Sequence, residues 1–222
     1  MPIVPAAVIY DLTNGGDKTR VPSIYRTLGA AALSAAADSF PLGRSGAGLG
    51  ARAGLMRGGL GSASLMLGGG VTVGALMVAN PVGSAVMPDG KTYWAWPFEI
   101  DSEFGGARPG PDAHARHPFP DQGRLRLADK SLLGANTTIG VVAVSAHVTP
   151  AECKRLAMMA QDGIARAVRP AHTPFDGDLI FCAATGRAEL PDGDRHMAIA
   201  AIGSALADCV ARAIARGVHA GQ

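Results

Sequence analysis

The chain has 222 residues, 48% hydrophobic, 17% charged and 5% aromatic, which describes one globular domain with an aliphatic core rather than a core of rings. Twenty basic residues against 18 acidic ones leave a formal net charge of +2 scattered along the chain, which excludes the basic footprint of a nucleic-acid binder. No run approaches the roughly 18 consecutive apolar residues of a membrane span. The opening Met1-Pro2-Ile3-Val4-Pro5 lacks the basic start of a secretory leader, and Cys153, Cys182 and Cys209 lack C-x-x-C spacing, so they read as buried free thiols of a cytoplasmic protein.

Ile3 to Leu12 is apolar and β-branched, ends in Tyr10-Asp11 and reads as a central strand turned by Asn14-Gly15-Gly16-Asp17. Beyond Pro22, Ser23 caps a helix to about Ala37, with Ile24, Leu28, Ala31 and Ala35 at helical spacing and an alanine-rich face suited to a sheet. Glycine dominates residues 42–70. Leu49, Leu55, Leu60, Leu65 and Leu67 are too many apolar anchors for a linker, so short strands with tight turns are expected there. Gly48-Leu49-Gly50-Ala51-Arg52-Ala53-Gly54 is not a dinucleotide fingerprint, because the third glycine comes one residue late and no helix opens after it. Val71 to Ala79 is a buried strand stopped by Asn80-Pro81-Val82-Gly83. Asn80 there is either a turn-former before proline or an amide aimed into a cleft.

Residues 84–133 are rich in Pro, Gly, His and mixed charge around Tyr93-Trp94-Ala95-Trp96-Pro97-Phe98; so long a connection is a lid, an assembly arm or a processed linker. His114 and His117, beside Pro118, read as a solvated loop rather than a metal site. Thr137 to Val144 reads as a core strand. Thr149-Pro150-Ala151-Glu152 is an N-cap followed by proline at the first helical position, launching a helix to about Val168. Asp176-Gly177-Asp178 then sets two carboxylates at the start of a strand running through Ala183, and Arg195 to Gly217 is a long alanine-rich closing helix. The order is α/β, with sheets stacked between helices.

The chemistry centres on Asn136-Thr137-Thr138, where a hydroxyl is held at the mouth of a core strand. Cutting the Asn136–Thr137 bond would give Thr137 both a nucleophilic hydroxyl and a free α-amine, whose pKa of roughly 7.7–8.0 suits a base near neutral pH. The same residues also fit an ordinary turn before a strand, or a glycosylation acceptor that is irrelevant without secretion. Asp176 and Asp178 fit a turn with a strand-start cap or a calcium-like fragment; an EF-hand is excluded because the later ligand positions are apolar.

Taken together, Gly59-Leu60-Gly61-Ser62-Ala63-Ser64, Val78-Ala79-Asn80-Pro81-Val82-Gly83, Asn136-Thr137-Thr138-Ile139-Gly140-Val141-Val142 and Asp176-Gly177-Asp178 resemble the family of DmpA-type aminopeptidases and nylon-oligomer (6-aminohexanoate-oligomer) endohydrolases. The resemblance covers nearly the whole chain, from Val8-Ile9-Tyr10-Asp11 to the last helix. It implies a four-layer αββα sandwich of the N-terminal-nucleophile hydrolase type and self-cleavage between Asn136 and Thr137 into residues 1–136 and 137–222 of a single domain. By the same resemblance, Thr137 is the nucleophile, Asn80 assists at the oxyanion, Asp176 and Asp178 orient the nucleophile's amine, and Tyr10 stands beside the site. It implies no metal or cofactor, a small amide or peptide substrate, and a homotetramer that binds neither nucleic acid nor membrane.

Two departures stand out. Leu55 occupies the position of the family's lysine, and the always-charged guanidinium of Arg57, two residues on, is a poor stand-in for a titratable amine. The family's additional N-terminal segment is not matched, so this chain is expected to be a fragment or a reduced homologue. Three functions follow as expectations: an amidase on nylon-type oligomers or small peptides, a non-catalytic homologue serving as a binding module, and an acyltransferase in which an amine resolves the acylated threonine.

Overall fold

The computed structural model describes residues 4–17, 19, 21–111, 113, 123–124, 136–191 and 193–222. His114, His117 and residues 133–135 lie outside them. The first helix, α1 (Val21–Ser34), starts two residues before the expected Ser23 and keeps Pro22 in its first turn, where a missing N–H costs nothing. The glycine-rich stretch forms short strands as expected: β1 (Arg52–Ala53), β2 (Met56–Arg57) and β3 (Gly59–Met66). β4 (Thr72–Ala79), β5 (Ile139–Ala146), α2 (Pro150–Ala160), α3 (Asp162–Ala167), β6 (Leu179–Ala188) and α4 (Arg195–Ala220) complete the order.

The main sheet runs β3-β4-β5-β6. β3, β4 and β5 are antiparallel neighbours, whereas β5 and β6 are parallel and are joined through α2 and α3, as a parallel pair requires. Alternation sorts the strands into two faces. Ala63, Val73, Ala75, Met77, Val142, Val144 and Ile180 are buried on one side, where α4 lies along β3 and β4 and packs on α2 and α3. Leu60, Leu76, Val141 and Phe181 point to the other side and are only half-buried. α4 comes close to the sheet because Gly61 faces Gly217: a Cβ at Gly61 would run into the Ala213 carbonyl oxygen and the Gly217 nitrogen. This is an α/β fold with helices packed on one face of its sheet, in keeping with one helix layer and one sheet layer of the αββα sandwich.

α4 is long and apolar enough to cross a membrane, with 67% of its apolar window buried. Packing on the sheet accounts for that apolarity. The helix expected from Thr149 to Val168 breaks at Gln161, and its start is a full capping box of Thr149 and Glu152. Glu152 also pairs with Arg195 at 2.7 Å, and these bonds hold its carboxyl down to about 2.

Three expectations are corrected. Residues 4–12 form no strand: they carry no regular structure and are largely exposed. The alanine face of α1 meets no sheet, since every residue from 24 to 34 is exposed; α2, α3 and α4 already fill the helix side. Residues 84–106 fold onto the core instead of forming an open connection, with Tyr93 edge-on to Phe104 at 5.4 Å and Arg212 bonded to Glu103 at 2.5 Å. Of the thiols, Cys209 is buried, while Cys153 and Cys182 are half-buried neighbours; burial, with Cys153 beside it, pushes Cys182 up to about 12.

Candidate active site

The strand registers pair Ala79 with Gly59, Val78 with Ile139, and Ile139 with Leu179. The end of β4 therefore meets the starts of β3, β5 and β6 at one edge of the sheet. Asn80 follows β4, Thr137 and Thr138 precede β5, and Asp176 and Asp178 precede β6. Residues nearly a hundred positions apart are thus brought together by register alone.

Thr137 is 8% exposed, and its hydroxyl donates to the carbonyl oxygen of Asn136 at 2.5 Å. The same oxygen accepts the N–H of Gly177 at 2.9 Å. The Thr137 hydroxyl thus lies folded back over the Asn136–Thr137 peptide, and its carbonyl oxygen carries two donors, one from a side chain and one from the backbone. The N–H of Thr137 donates to the Asn80 main-chain oxygen at 2.9 Å. Asn136 bridges to Asp176 in parallel β geometry, which carries the acidic loop alongside the Asn136–Thr137 bond.

The acidic pair divides its work. Asp178 accepts the N–H of Thr138 at 2.8 Å on one oxygen and lies 2.8 Å from His172 Nδ1 through the other. Its carboxyl is raised above the ordinary range, first by burial and then by the charge of Asp176, against the lowering effects of the Thr138 N–H and of His172. Asp176 accepts from the N–H of Val82 at 3.0 Å and from the hydroxyl and N–H of Thr173 at 2.7 and 3.1 Å. It pins the turn after Asn80 to the loop before β6. Neither carboxylate bonds the Thr137 nitrogen in this uncut arrangement; Asp178 holds the next residue's amide instead.

Asn80 is fully buried. Its side-chain oxygen accepts the N–H of Arg52 at 2.9 Å, and its amide nitrogen donates to the main-chain oxygen of Tyr10 at 3.2 Å. The link to residue 10 is thus through the backbone, and the Tyr10 ring stays 36% exposed. Leu55 sits at the β1–β2 turn, 46% exposed.

Three contributors escaped the sequence reading. Gly177 supplies the N–H on the Asn136 oxygen, His172 meets Asp178, and Arg124 is buried behind the Asn80 turn, donating to the Pro81 oxygen at 2.9 Å. Burial, with Arg52 nearby, lowers the Arg124 guanidinium to about 10, and Asp176 opposes that. His172 lay in a stretch that reads as a turn, and Arg124 in one that reads as a loop; only a backbone amide distinguishes Gly177, so no side-chain signal could have marked it. Among the described residues no cluster of metal-ligating side chains forms.

The profile of peptidase family S58 matches residues 1–222. The chain is 41% identical over 231 residues to an uncharacterized aminopeptidase of Mycobacterium tuberculosis (strain ATCC 25618 / H37Rv), covering 98% of this chain and 63% of that protein. It is 31% identical over 197 residues to the 6-aminohexanoate-oligomer endohydrolase of Agromyces sp. (strain KY5R), covering 85% of this chain and 52% of that one. The chain therefore spans less than two thirds of the length of these relatives. Among solved structures it is similar to a beta-aminopeptidase of Burkholderia sp., with a TM-score of 0.54 and 27% identity over 84% of this chain and 49% of that one. It shares the fold of an L-aminopeptidase D-Ala-esterase/amidase of Ochrobactrum anthropi, described as a variant of the Ntn hydrolase fold, with a TM-score of 0.52 and 24% identity over 82% of this chain and 46% of that one.

Proposed function

Because the chain belongs to peptidase family S58, we propose that it is a self-processing amide-bond hydrolase whose nucleophile is Thr137, acting on 6-aminohexanoate oligomers or small peptides. The observation that carries this reading is the Thr137 hydroxyl, 2.5 Å from the Asn136 oxygen that Gly177 also bonds. In the self-cleavage step Thr137 Oγ1 attacks the Asn136 carbonyl carbon, the C–N bond breaks, and the hydroxyl proton passes to the departing Thr137 nitrogen. Water then hydrolyses the resulting ester, leaving the Asn136 carboxylate and a free Thr137 hydroxyl beside its own α-amine. That amine is the general base for the substrate reaction, with Asp176 and Asp178 stabilising its charged form and Asn80 the oxyanion. The working protein is then residues 1–136 with 137–222, assembled as a cytoplasmic homotetramer.

Intact mass after incubation near neutral pH tests the reading. The native chain is expected to give two pieces cut after Asn136, Thr137→Ser to cut more slowly, and Thr137→Ala not to cut. A native mass that stays whole with time overturns self-processing. The alternative, a non-catalytic binding module, draws support from Leu55, which leaves the family's lysine position apolar. If Leu55→Lys brings on cleavage and amidase activity that the native chain lacks, that alternative describes the native chain.

A further inference from the structure

The hairpin of β1 and β2 has two residue pairs, and one of them sets Arg52 directly opposite Arg57. Like charges at opposed cross-strand positions repel, and because both side chains are exposed, an anion from solvent can reach and relieve that repulsion. Arg52 and Arg57 line a cavity of about 450 Å³ together with Arg44, Asn14, Leu49 and Leu55. Among the described residues, none of the three guanidiniums is within ion-pair distance of a side-chain carboxylate. Among the described residues, the Arg52 guanidinium donates to the Leu55 oxygen at 3.4 Å, and that of Arg57 to the main-chain oxygen of Gln222 at 3.4 Å. The carboxylate of Asp11 lies over the neighbouring Gly50. The cavity adjoins the candidate site, because the N–H of Arg52 is the donor to Asn80 Oδ1 at 2.9 Å.

We propose that this cavity is an anion subsite that receives the terminal carboxylate of a short linear amide, with Arg44, Arg52 and Arg57 as its donors. Guanidinium matches carboxylate geometry through paired N–H groups. Leu49 and Leu55 supply an apolar rim for the methylene chain that leads to that carboxylate. The leucine at position 55 then serves the substrate chain rather than the nucleophile. The proposal rests on the amidase reading for its purpose, though binding can be measured without turnover.

The experiment titrates the full chain with N-acetyl-6-aminohexanoate and, separately, with its carboxamide, by calorimetry or by NMR shifts. The carboxylate is expected to bind at least about tenfold tighter, a difference of about 1.4 kcal/mol, and to weaken as salt rises. That preference should vanish in the Arg44→Gln, Arg57→Gln double variant and survive in part in Arg44→Lys, Arg57→Lys, with melting curves reporting whether each is folded. Equal affinity of the two probes for the native chain, which needs no variant, overturns the subsite; so does a preference unchanged in a folded double-Gln chain. Intact mass read on the same samples separates the two ideas. An uncut chain that still prefers the carboxylate keeps the subsite and loses self-processing, and a cut chain without the preference does the reverse.

Discussion

A Cβ at Gly177 would stand 3.2 Å from Thr137 Oγ1, tighter than ordinary van der Waals contact. Gly177 is itself exposed, so Gly177→Ala disturbs the Thr137 hydroxyl and the N–H donor to Asn136 without touching the core. It is expected to slow cleavage by about tenfold, about 1.4 kcal/mol of barrier, with unfolding free energy changed by no more than about 0.5 kcal/mol; timed intact mass and urea titration measure the two. Asp178 makes a pH prediction. Its folded pKa is raised, chiefly by burial, so the folded state takes up its proton more readily than the unfolded chain. Its contribution to stability is fully present below the unfolded value of about 3.9 and is lost as pH rises through the folded value. Asp178→Asn removes this loss, so the melting temperature of the variant relative to the native chain should climb from about pH 4 upward. A difference that is flat across melts in that range would refute it.

Neighbouring positions on β4 have opposite fates. Met77 is fully buried under α4, whereas Leu76 points to the half-buried face. Met77→Ala should cost about 2–5 kcal/mol through lost burial and a cavity, and Leu76→Ala only about 1 kcal/mol, both read from urea midpoints. Similar losses at the two positions would mean that the sheet is covered on both sides. Strands β4, β5 and β6 and helices α2 and α4 were legible in the sequence because apolar period and capping chemistry are local. Thr149 is the clearest instance, since its hydroxyl, Pro150 and Glu152 state a helix start without help from the rest of the chain. Residues 4–12 show the limit. Their β-branched composition reads as a strand, but a strand needs a partner edge, and none pairs with them here.

At the scale of the molecule, one sheet face lies under helices, and the other shows half-buried Leu60, Leu76, Val141 and Phe181, while α1 leaves Leu28 56% and Leu33 80% exposed. Open apolar surface of this kind binds apolar fluorophores. The folded chain is expected to enhance such a dye at neutral pH while keeping a sharp thermal transition. A Leu76→Lys, Phe181→Lys chain should lower the signal without lowering the melting temperature, and an unchanged signal would place the dye elsewhere. By itself the sequence marked most of the elements and the candidate groups of the site: Thr137 before a core strand, two carboxylates before another, and Asn80 after a third. It did so because each is marked by residue type within a few positions. Only the tertiary structure decided which atoms meet. That Gly177 N–H reaches the Asn136 oxygen, that His172 pairs with Asp178, and that Arg52 faces Arg57 beside a cavity all follow from strand register and loop path. These are sums of many weak packing contacts that no local stretch encodes.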